Sequence, residues 1–130
     1  MSTHLVHLQK IRFMHADEAR EFALARNETT EETPFGPDVL VYKVAGKMFA
    51  TLTPDDVPPR MNLKCDPDRA LELRDEHDPL IIPGYHMNKR HWNTLVLDGS
   101  LPTDLVKELI THSYELVVAK LPKKERDKLS

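Results

Sequence analysis

The stretch VLVYKVAGKMFATLT, residues 39–53, alternates along most of its length on either side of Ala45-Gly46. Period-two alternation interrupted by a glycine-containing pair predicts a β-hairpin. We expect one face to carry the residues that suit a core, which are Leu40, Tyr42, Val44, Met48, Ala50 and Leu52. This register requires a loop with an odd number of residues, in which Gly46 takes the left-handed position. The opposite face is then expected to carry Val41, Lys43, Lys47, Phe49 and Thr51.

Strand and helix signals flank this hairpin. Met61, Leu63 and Cys65 alternate with polar residues, which predicts a third strand. Asp66-Pro67 supplies an N-cap and a proline at the first helical position, so a helix is expected from Pro67 to about His77. Further elements are predicted as a helix at about 16–26, a strand at 92–97 and a long helix starting near 102. This order predicts an α+β fold, in which helices pack on one face of an antiparallel β-sheet of about four or more strands.

Composition narrows the class of protein. The 130 residues are 40% hydrophobic and 30% charged, which suits one globular domain. No apolar run approaches the roughly 20 residues of a membrane span, and the first residues lack the pattern of a signal peptide. With Cys65 as the single cysteine, no internal disulfide is expected, and a cytoplasmic location is predicted. A net charge of −3 is unusual for a nucleic-acid-binding domain, yet residues 83–97 hold two bases and no acid.

Four segments together resemble the MmcQ/YjbR-like proteins: VYKVAGKMFA (41–50), MNLKCDP (61–67), IPGYHMNKRHWNTLVLDGSLP (82–102) and HSYELVVAKLPKKER (112–126). The resemblance implies a CyaY-like (frataxin-like) fold and DNA binding through a "double wing", in which β-hairpins flank a helix. Residues 1–13 have no counterpart in the family pattern, so we expect an N-terminal extension or a non-native start there. Residues 14–126 are expected to form a single domain of this family, followed by a frayed tail at 127–130.

The segment from Tyr85 to Trp92 is the first candidate recognition surface. Between its aromatic ends lie two histidines, an asparagine and two cations, which are His86, His91, Asn88, Lys89 and Arg90. Cations contact phosphates, the other polar groups form hydrogen bonds, and aromatic rings stack on bases. The alternative is a strand-entry loop in which Trp92 belongs to the core and the cations are merely solvated.

The outer face of the sheet is the second candidate surface. It is expected to carry three lysines, an amide and an aromatic ring, which are Lys43, Lys47, Lys64, Asn62 and Phe49. Such a surface can follow a phosphate backbone and offer a stacking platform. The alternative is a solvated face whose lysines protect a sheet edge from aggregation. A weaker cluster near the C-terminus comprises Lys120, Lys123, Lys124 and Arg126, and the helix macrodipole also explains it.

Metal binding and catalysis have little support in the sequence. His86 and His91 are five residues apart, with no CxxC, HExxH or carboxylate cluster nearby. An acidic ridge at 66–78 resembles the iron-binding ridges of frataxin-like proteins only at the level of the fold. A buried Cys65 would be inert, and the pair His112-Ser113 suits a hydrogen-bonded packing role. We therefore expect no metal, no cofactor and no enzymatic activity.

The sequence predicts a protein that binds DNA weakly and largely independently of base sequence. The expected phosphate contacts are Lys43, Lys47, Lys64, Lys89 and Arg90, and the other expected contacts are Phe49, His86, Asn88 and His91. Neutralising about four phosphates would give a slope of log affinity against log salt near −3 to −4. The alternative is an adaptor module that binds a protein or a small anion through the same surface.

Overall fold

The computed structural model describes residues 11–129, which form an α+β fold. The strands are β1 (Thr29–Glu32), β2 (Leu40–Val44), β3 (Lys47–Thr53), β4 (Arg60–Lys64), β5 (Ile81–Pro83) and β6 (Trp92–Val96). The helices are α1 (Ala16–Leu24), α2 (Pro67–His77), α3 (Thr103–Ala119) and α4 (Lys123–Asp127). One sheet has the strand order β1-β2-β3-β4-β6-β5, and every neighbouring pair is antiparallel. The predicted fold class is therefore confirmed, with short edge strands β1 and β5 in addition to the strands expected.

The core lies between one face of the sheet and the helices. Met61, Leu63 and Leu95 point into it from the central strands, as period-two alternation requires. Helix α3 contributes Val106 and Ile110 from its apolar stripe, both fully buried. The other face, called the outer face here, carries the side chains that alternate with these positions. No helix within residues 11–129 is long and apolar enough to cross a membrane.

Local sequence determines where α2 begins. The carboxylate of Asp66 accepts a hydrogen bond from the backbone N–H of Arg69 at 3.2 Å, and Pro67 occupies the first turn. An N-cap acid satisfies a backbone donor that the helix itself cannot pair, and proline has no such donor to lose. The predicted helix from Pro67 to about His77 is confirmed with those bounds.

The β2–β3 hairpin departs from the predicted register. Its loop has two residues, Ala45 and Gly46, with φ values of 49° and 74°. Positive φ at both positions is the pattern of a two-residue hairpin turn. The odd residue lies instead in a β-bulge: Tyr42 pairs with Ala50 and Lys43 pairs with Met48, which leaves Phe49 without a partner. The prediction of an odd-numbered loop is therefore wrong.

The bulge changes which side chains share a face. Phe49 is fully buried and meets the ring of Tyr114 edge-on, with 5.4 Å between ring centroids. Lys47 pairs with the buried Val44 and so lies on the helix side at the exposed hairpin end, whereas Met48 lies on the outer face. The predicted surface of three lysines and an exposed Phe49 is therefore wrong.

Both ends of the described region are held against the domain. The backbone N–H of Met14 donates to the oxygen of Leu101 at 3.0 Å, and the N–H of Thr103 donates to the oxygen of Arg12 at 2.8 Å. Residues 1–10, most of the predicted N-terminal extension, lie outside the described residues. Where fraying is predicted, the side chain of Asn27 donates to the oxygen of Leu129 at 2.9 Å, and the Leu129 side chain packs against the core. Apolar contact therefore anchors residue 129, whereas the fraying expected at 127–130 stays a prediction.

Candidate nucleic-acid interface

The strand order brings the 84–91 loop to one end of the sheet. This loop connects β5 to β6, and Lys64 at the end of β4 pairs with Trp92 at the start of β6. The β2–β3 hairpin turns at the same end, because β3 runs antiparallel to β4. Two open cavities adjoin the loop. We call them the end pocket, which lies at this end of the sheet, and the outer-face cavity, which lies across the outer face.

Helix α2 anchors the loop backbone. The guanidinium of Arg74 donates to the side-chain oxygen of Asn93 at 2.6 Å, to the backbone oxygen of Trp92 at 3.3 Å and to that of Lys89. The N–H of Gly84 donates to the oxygen of Trp92 at 2.9 Å. A Cβ at Gly84 would lie 2.7 Å from the Cβ of Trp92, so this close approach requires glycine. The loop is thus fixed at its base, and Tyr85, His86 and residues 88–91 remain exposed.

The end pocket brings together two lysines and two polar loop side chains from three parts of the chain. It has a volume of about 450 Å³ and is lined by Lys64 of β4, Asn88 and His91 of the loop, and Lys120 at the end of α3. Within residues 11–129, neither lysine forms an ion pair. Burial, followed by the positive charge of Lys120, lowers the pKa of Lys64. Two ammonium groups that repel each other in a concave site favour an anion.

One acidic side chain also lines the end pocket. The carboxylate of Asp66 accepts the capping hydrogen bond from the backbone of Arg69 and so is committed to the start of α2. The ring of Trp92 is buried, with the Nζ of Lys64 at 5.7 Å from its centroid. Trp92 therefore belongs to the packed structure, as the alternative for this segment anticipated. Tyr85, with 54% of its surface exposed, is the exposed aromatic ring of the loop, and its centroid lies 4.0 Å from that of the His86 ring.

The outer-face cavity has a polar floor and an aromatic and apolar rim. Its volume is about 510 Å³, and its floor includes Thr51, Asn62 and Thr94. The hydroxyl of Thr94 donates to the side-chain oxygen of Asn62 and accepts from the backbone N–H of Tyr85 at 2.9 Å. These bonds hold the loop over the sheet. The rim is formed by Phe35, Val39, Met48, Tyr85, His86, Met87, Arg60 and Asp56.

The structure separates the predicted site residues into four groups. Lys64, Asn88 and His91 meet in the end pocket, and His86 lines the outer-face cavity. Lys89 and Arg90 are exposed on the loop, where the Nζ of Lys89 donates to the backbone oxygen of Gly84 at 3.4 Å. The remaining three, Lys43, Lys47 and Phe49, do not join this site.

Lys43 illustrates why a lysine on the correct face need not be available. Its Nζ lies 3.2 Å from a carboxylate oxygen of Glu32 on the neighbouring strand β1. A hydrogen bond from Thr30, together with Lys43, lowers the pKa of that carboxyl group. The carboxylate of Glu32 therefore offsets the positive charge of Lys43 on the outer face.

Two residues of the site were missed or misplaced by the sequence argument. Lys120 was grouped with a tail cluster, and only the packing of α3 across the sheet brings it beside Lys64. Arg60 was not considered, although the alternation through Asn62 and Lys64 extends back to it. Its guanidinium carbon lies 5.4 Å from the centroid of the Tyr85 ring. Continuing the period-two pattern by one step would have placed Arg60 on the outer face.

The residues that carry most chemical reactivity are used for packing. The Nε2 atom of His112 accepts a hydrogen bond from the backbone N–H of Asp66 at 3.2 Å, and Ser113 is buried and hydrogen-bonded. The predicted packing role of this pair is confirmed. Burial raises the pKa of the Cys65 thiol, which disfavours a reactive thiolate. Within residues 11–129, no group of three or more histidine, cysteine or acidic side chains is placed to hold a metal ion.

Comparison with known proteins identifies relatives of similar size. Residues 24–116 match the family model described as YjbR. The Escherichia coli O157:H7 protein YbdF is 38% identical over 96 residues, covering 74% of this chain and 78% of that protein. The Escherichia coli K12 protein YjbR is 38% identical over 84 residues, covering 65% and 70%.

Solved structures show the same fold. The crystal structure of the Deinococcus radiodurans protein DR2400, described as a DUF419 domain, has a TM-score of 0.83 at 39% identity. The match covers 90% of this chain and 88% of that one. A Pseudomonas syringae protein solved by crystallography has a TM-score of 0.68 at 29% identity, covering 79% of this chain and 98% of that one.

Proposed function

The chain belongs to the YjbR family, and we propose from that premise that it binds DNA through its phosphates at the end pocket and the adjoining loop. The observation that carries the proposal is the meeting of Lys64 and Lys120 in a concave site without an ion pair among the described residues. A phosphate between the two ammonium groups would replace their repulsion with two attractive contacts. Lys89 and Arg90 on the same loop would contact neighbouring phosphates.

The double wing implied by the family resemblance has a candidate counterpart at this end of the sheet. The β2–β3 turn and the 84–91 loop both project from it. We propose that these two connections contact the nucleic acid on either side of the end pocket. The exposed Lys47 beside the turn would then contribute long-range attraction.

Weak binding that is largely independent of base sequence follows from the charges. A protein with a net charge of −3 attracts DNA only locally, and phosphate contacts carry no direct sequence information. Four cations, Lys64, Lys89, Arg90 and Lys120, would neutralise about four phosphates, for a salt slope near −3 to −4. We propose a binding role in the cytoplasm without catalysis.

A second candidate function is an adaptor that binds a small anion or an acidic protein. The concave shape and volume of about 450 Å³ of the end pocket favour this candidate, because a phosphorylated metabolite would also fit such a site. It predicts saturable binding of the small anion and no gain in affinity with increasing DNA length.

The test is a fluorescence-anisotropy titration of duplex DNA over a series of salt concentrations. Lys64→Ala/Lys120→Ala should weaken binding and make the salt slope shallower by nearly 2, at about 0.9 per phosphate contact. Arg12→Ala/Lys107→Ala removes the same charge near the opposite end of α3 and serves as the control. Lys89→Ala/Arg90→Ala tests the loop separately.

Each result of this titration has a definite meaning. Absence of binding to duplex DNA at low salt would refute the proposal. Equal salt slopes for the pocket variant and its charge-matched control would show that the end pocket does not contact DNA phosphates. Saturation by a phosphorylated small molecule, with no dependence on DNA length, would support the adaptor instead.

A further inference from the structure

We infer that the outer-face cavity accepts an unstacked base of single-stranded DNA whose phosphate lies in the end pocket, so that the protein prefers single strands to duplex. This inference rests on the proposed function, because it adds a base site to the phosphate site proposed above. The two sites are neighbours. The loop residues Tyr85, His86 and Met87 line the outer-face cavity, and Asn88 and His91 line the end pocket.

Strand β4 sets the spacing between the two sites. Its outer face carries Arg60, Asn62 and Lys64 at alternate positions, with Asn62 in the outer-face cavity and Lys64 in the end pocket. Two residues of a strand span about 6.6 Å, so this is the backbone distance along β4 between Asn62, which carries the amide, and Lys64, which carries the ammonium group. Strand β6 repeats this arrangement, because Thr94 lines the outer-face cavity and Trp92 lines the end pocket.

The rim of the cavity offers rings on which a base can stack. Phe35 is 69% exposed, and Tyr85 is 54% exposed although its ring contacts the ring of His86 and the guanidinium of Arg60. Met48 and Met87 add polarisable sulfur, which interacts favourably with aromatic rings. The volume of about 510 Å³ falls within the range of about 300–1,000 Å³ typical of small-molecule sites. Stacking tolerates any base, because every base has a π-face.

Charge and hydrogen bonding complete the match to a nucleotide. The guanidinium of Arg60 forms no ion pair with any carboxylate of residues 11–129, and Asp56 on the same rim lies beyond ion-pair distance. A strand lying along β4 would therefore meet a cation on each side of the base. The Nδ2 of Asn62 makes only a 3.5 Å contact to the backbone oxygen of Tyr85, so its second N–H can donate to a base. Paired bases of a duplex are enclosed in the stack and cannot enter such a cavity without unstacking.

The experiment compares four probes: a labelled oligo(dT) strand, an abasic strand of the same length, a duplex of the same length, and free dTMP. Wild type should bind oligo(dT) about tenfold more tightly than the abasic strand or the duplex, as expected from one stacked base. Tyr85→Ala should remove this tenfold gain and change duplex affinity by less than about twofold. Tyr85→Phe keeps the ring and should retain the gain.

Phe13→Ala is the matched control, because it removes a partly exposed ring outside both cavities and leaves the backbone bridge of residue 13 with Pro102 in place. Thermal melting of each variant separates loss of binding from loss of folding. Equal affinity for oligo(dT) and the abasic strand would overturn the base site and leave the phosphate proposal standing. Failure of every strand to bind at low salt would instead refute the proposed function. Free dTMP that binds as tightly as oligo(dT) would also overturn the inference, since the cavity would then be a site for a free nucleotide.

Discussion

The hydroxyl of Ser113 in α3 accepts a hydrogen bond from the backbone N–H of Lys64 in β4 at 2.9 Å. The same hydroxyl donates to the backbone oxygen of Phe49 in β3 at 2.5 Å. Regular pairing between β3 and β4 begins only at Ala50 and Leu63, because the bulge at Phe49 lies next to this pair. Ser113 thus bridges the gap in the sheet and fixes the backbone from which the Lys64 side chain reaches the end pocket.

Ser113→Ala should lower the free energy of unfolding by about 1–3 kcal/mol, because it leaves a buried donor and a buried acceptor unpaired. Urea denaturation measures the change. Thr103→Val is the matched control, since the buried hydroxyl of Thr103 has no hydrogen-bond partner among the described residues. That control should be neutral or stabilising, and equal losses in the two variants would contradict the bridging role.

Phe49→Ala should cost about 3–5 kcal/mol of stability, as for a large aromatic side chain removed from a core. Tyr85→Ala removes an exposed ring and should change stability by about 0.5 kcal/mol or less. The comparison distinguishes the bulge from the odd-numbered loop predicted from the sequence, because that loop would place Phe49 opposite Lys43 on the outer face. Similar denaturation curves for the two variants would show that Phe49 is not in the core.

Arg74→Ala should loosen the loop, since one side chain holds Asn93 and the backbone at Lys89 and Trp92. Hydrogen bonds to a charged group contribute about 1.5–3 kcal/mol, so a loss of that size in stability is expected. Amide hydrogen exchange should also accelerate across residues 88–92. Arg90→Ala, which removes an exposed guanidinium from the same loop, should leave exchange unchanged. Unchanged exchange in Arg74→Ala would show that other contacts hold the loop.

Stability should fall as the pH drops below about 6.5, in part because of His112. Burial, followed by the charge of Arg69, lowers the pKa of His112 from its ordinary value of 6.5, whereas Glu108, Asp66 and Glu115 act in the opposite direction. The unfolded chain therefore binds this proton first as the pH falls, which favours unfolding. Protonation also removes the acceptor that pairs with the N–H of Asp66.

His112→Gln retains a hydrogen-bond acceptor but does not titrate. Its unfolding free energy should depend less steeply on pH than that of wild type between about pH 7 and pH 5. Urea denaturation at several pH values gives both slopes. Equal pH dependence of the unfolding free energy in wild type and His112→Gln would show that other groups cause the acid sensitivity.

Local signals in the sequence predicted the elements that depend on neighbouring residues. The alternation of Met61, Leu63 and Cys65 identified β4, and Asp66-Pro67 identified the start of α2. Strand β6 was expected at 92–97 and forms at Trp92–Val96. The residue content of the segment from Tyr85 to Trp92 marked it as a candidate surface, and its Asn88 and His91 line the end pocket together with Lys64, which was expected on a second surface.

Features that depend on packing could not be predicted in the same way. The extra residue of the hairpin can be accommodated either by an odd-numbered loop or by a two-residue loop with a bulge. The burial of Phe49 against Tyr114 favours the bulge. Lys120 joins Lys64 only because α3 crosses the sheet. The sequence of β1 is polar and has no alternating apolar residues, so neither this strand nor its pairing with β2 could be predicted from the sequence.

The bulge at Phe49 lets β3 keep Ala50 on the core face and Met48 on the outer face, although the two residues are separated by only one position. Because the bulge absorbs Phe49, Met48 lies opposite Lys43 and Lys47 lies opposite Val44, so that a thioether and not an ammonium group enters the outer-face cavity. The two-residue turn sets Lys47 opposite Val44 and Met48 opposite Lys43, so deleting Phe49 would remove the bulge and keep both residues on their present faces. Among relatives, a hairpin with the extra residue in its turn and no bulge would place residue 48 opposite residue 44 on the helix side, which would alter the chemistry of the cavity even where every residue of the floor is the same.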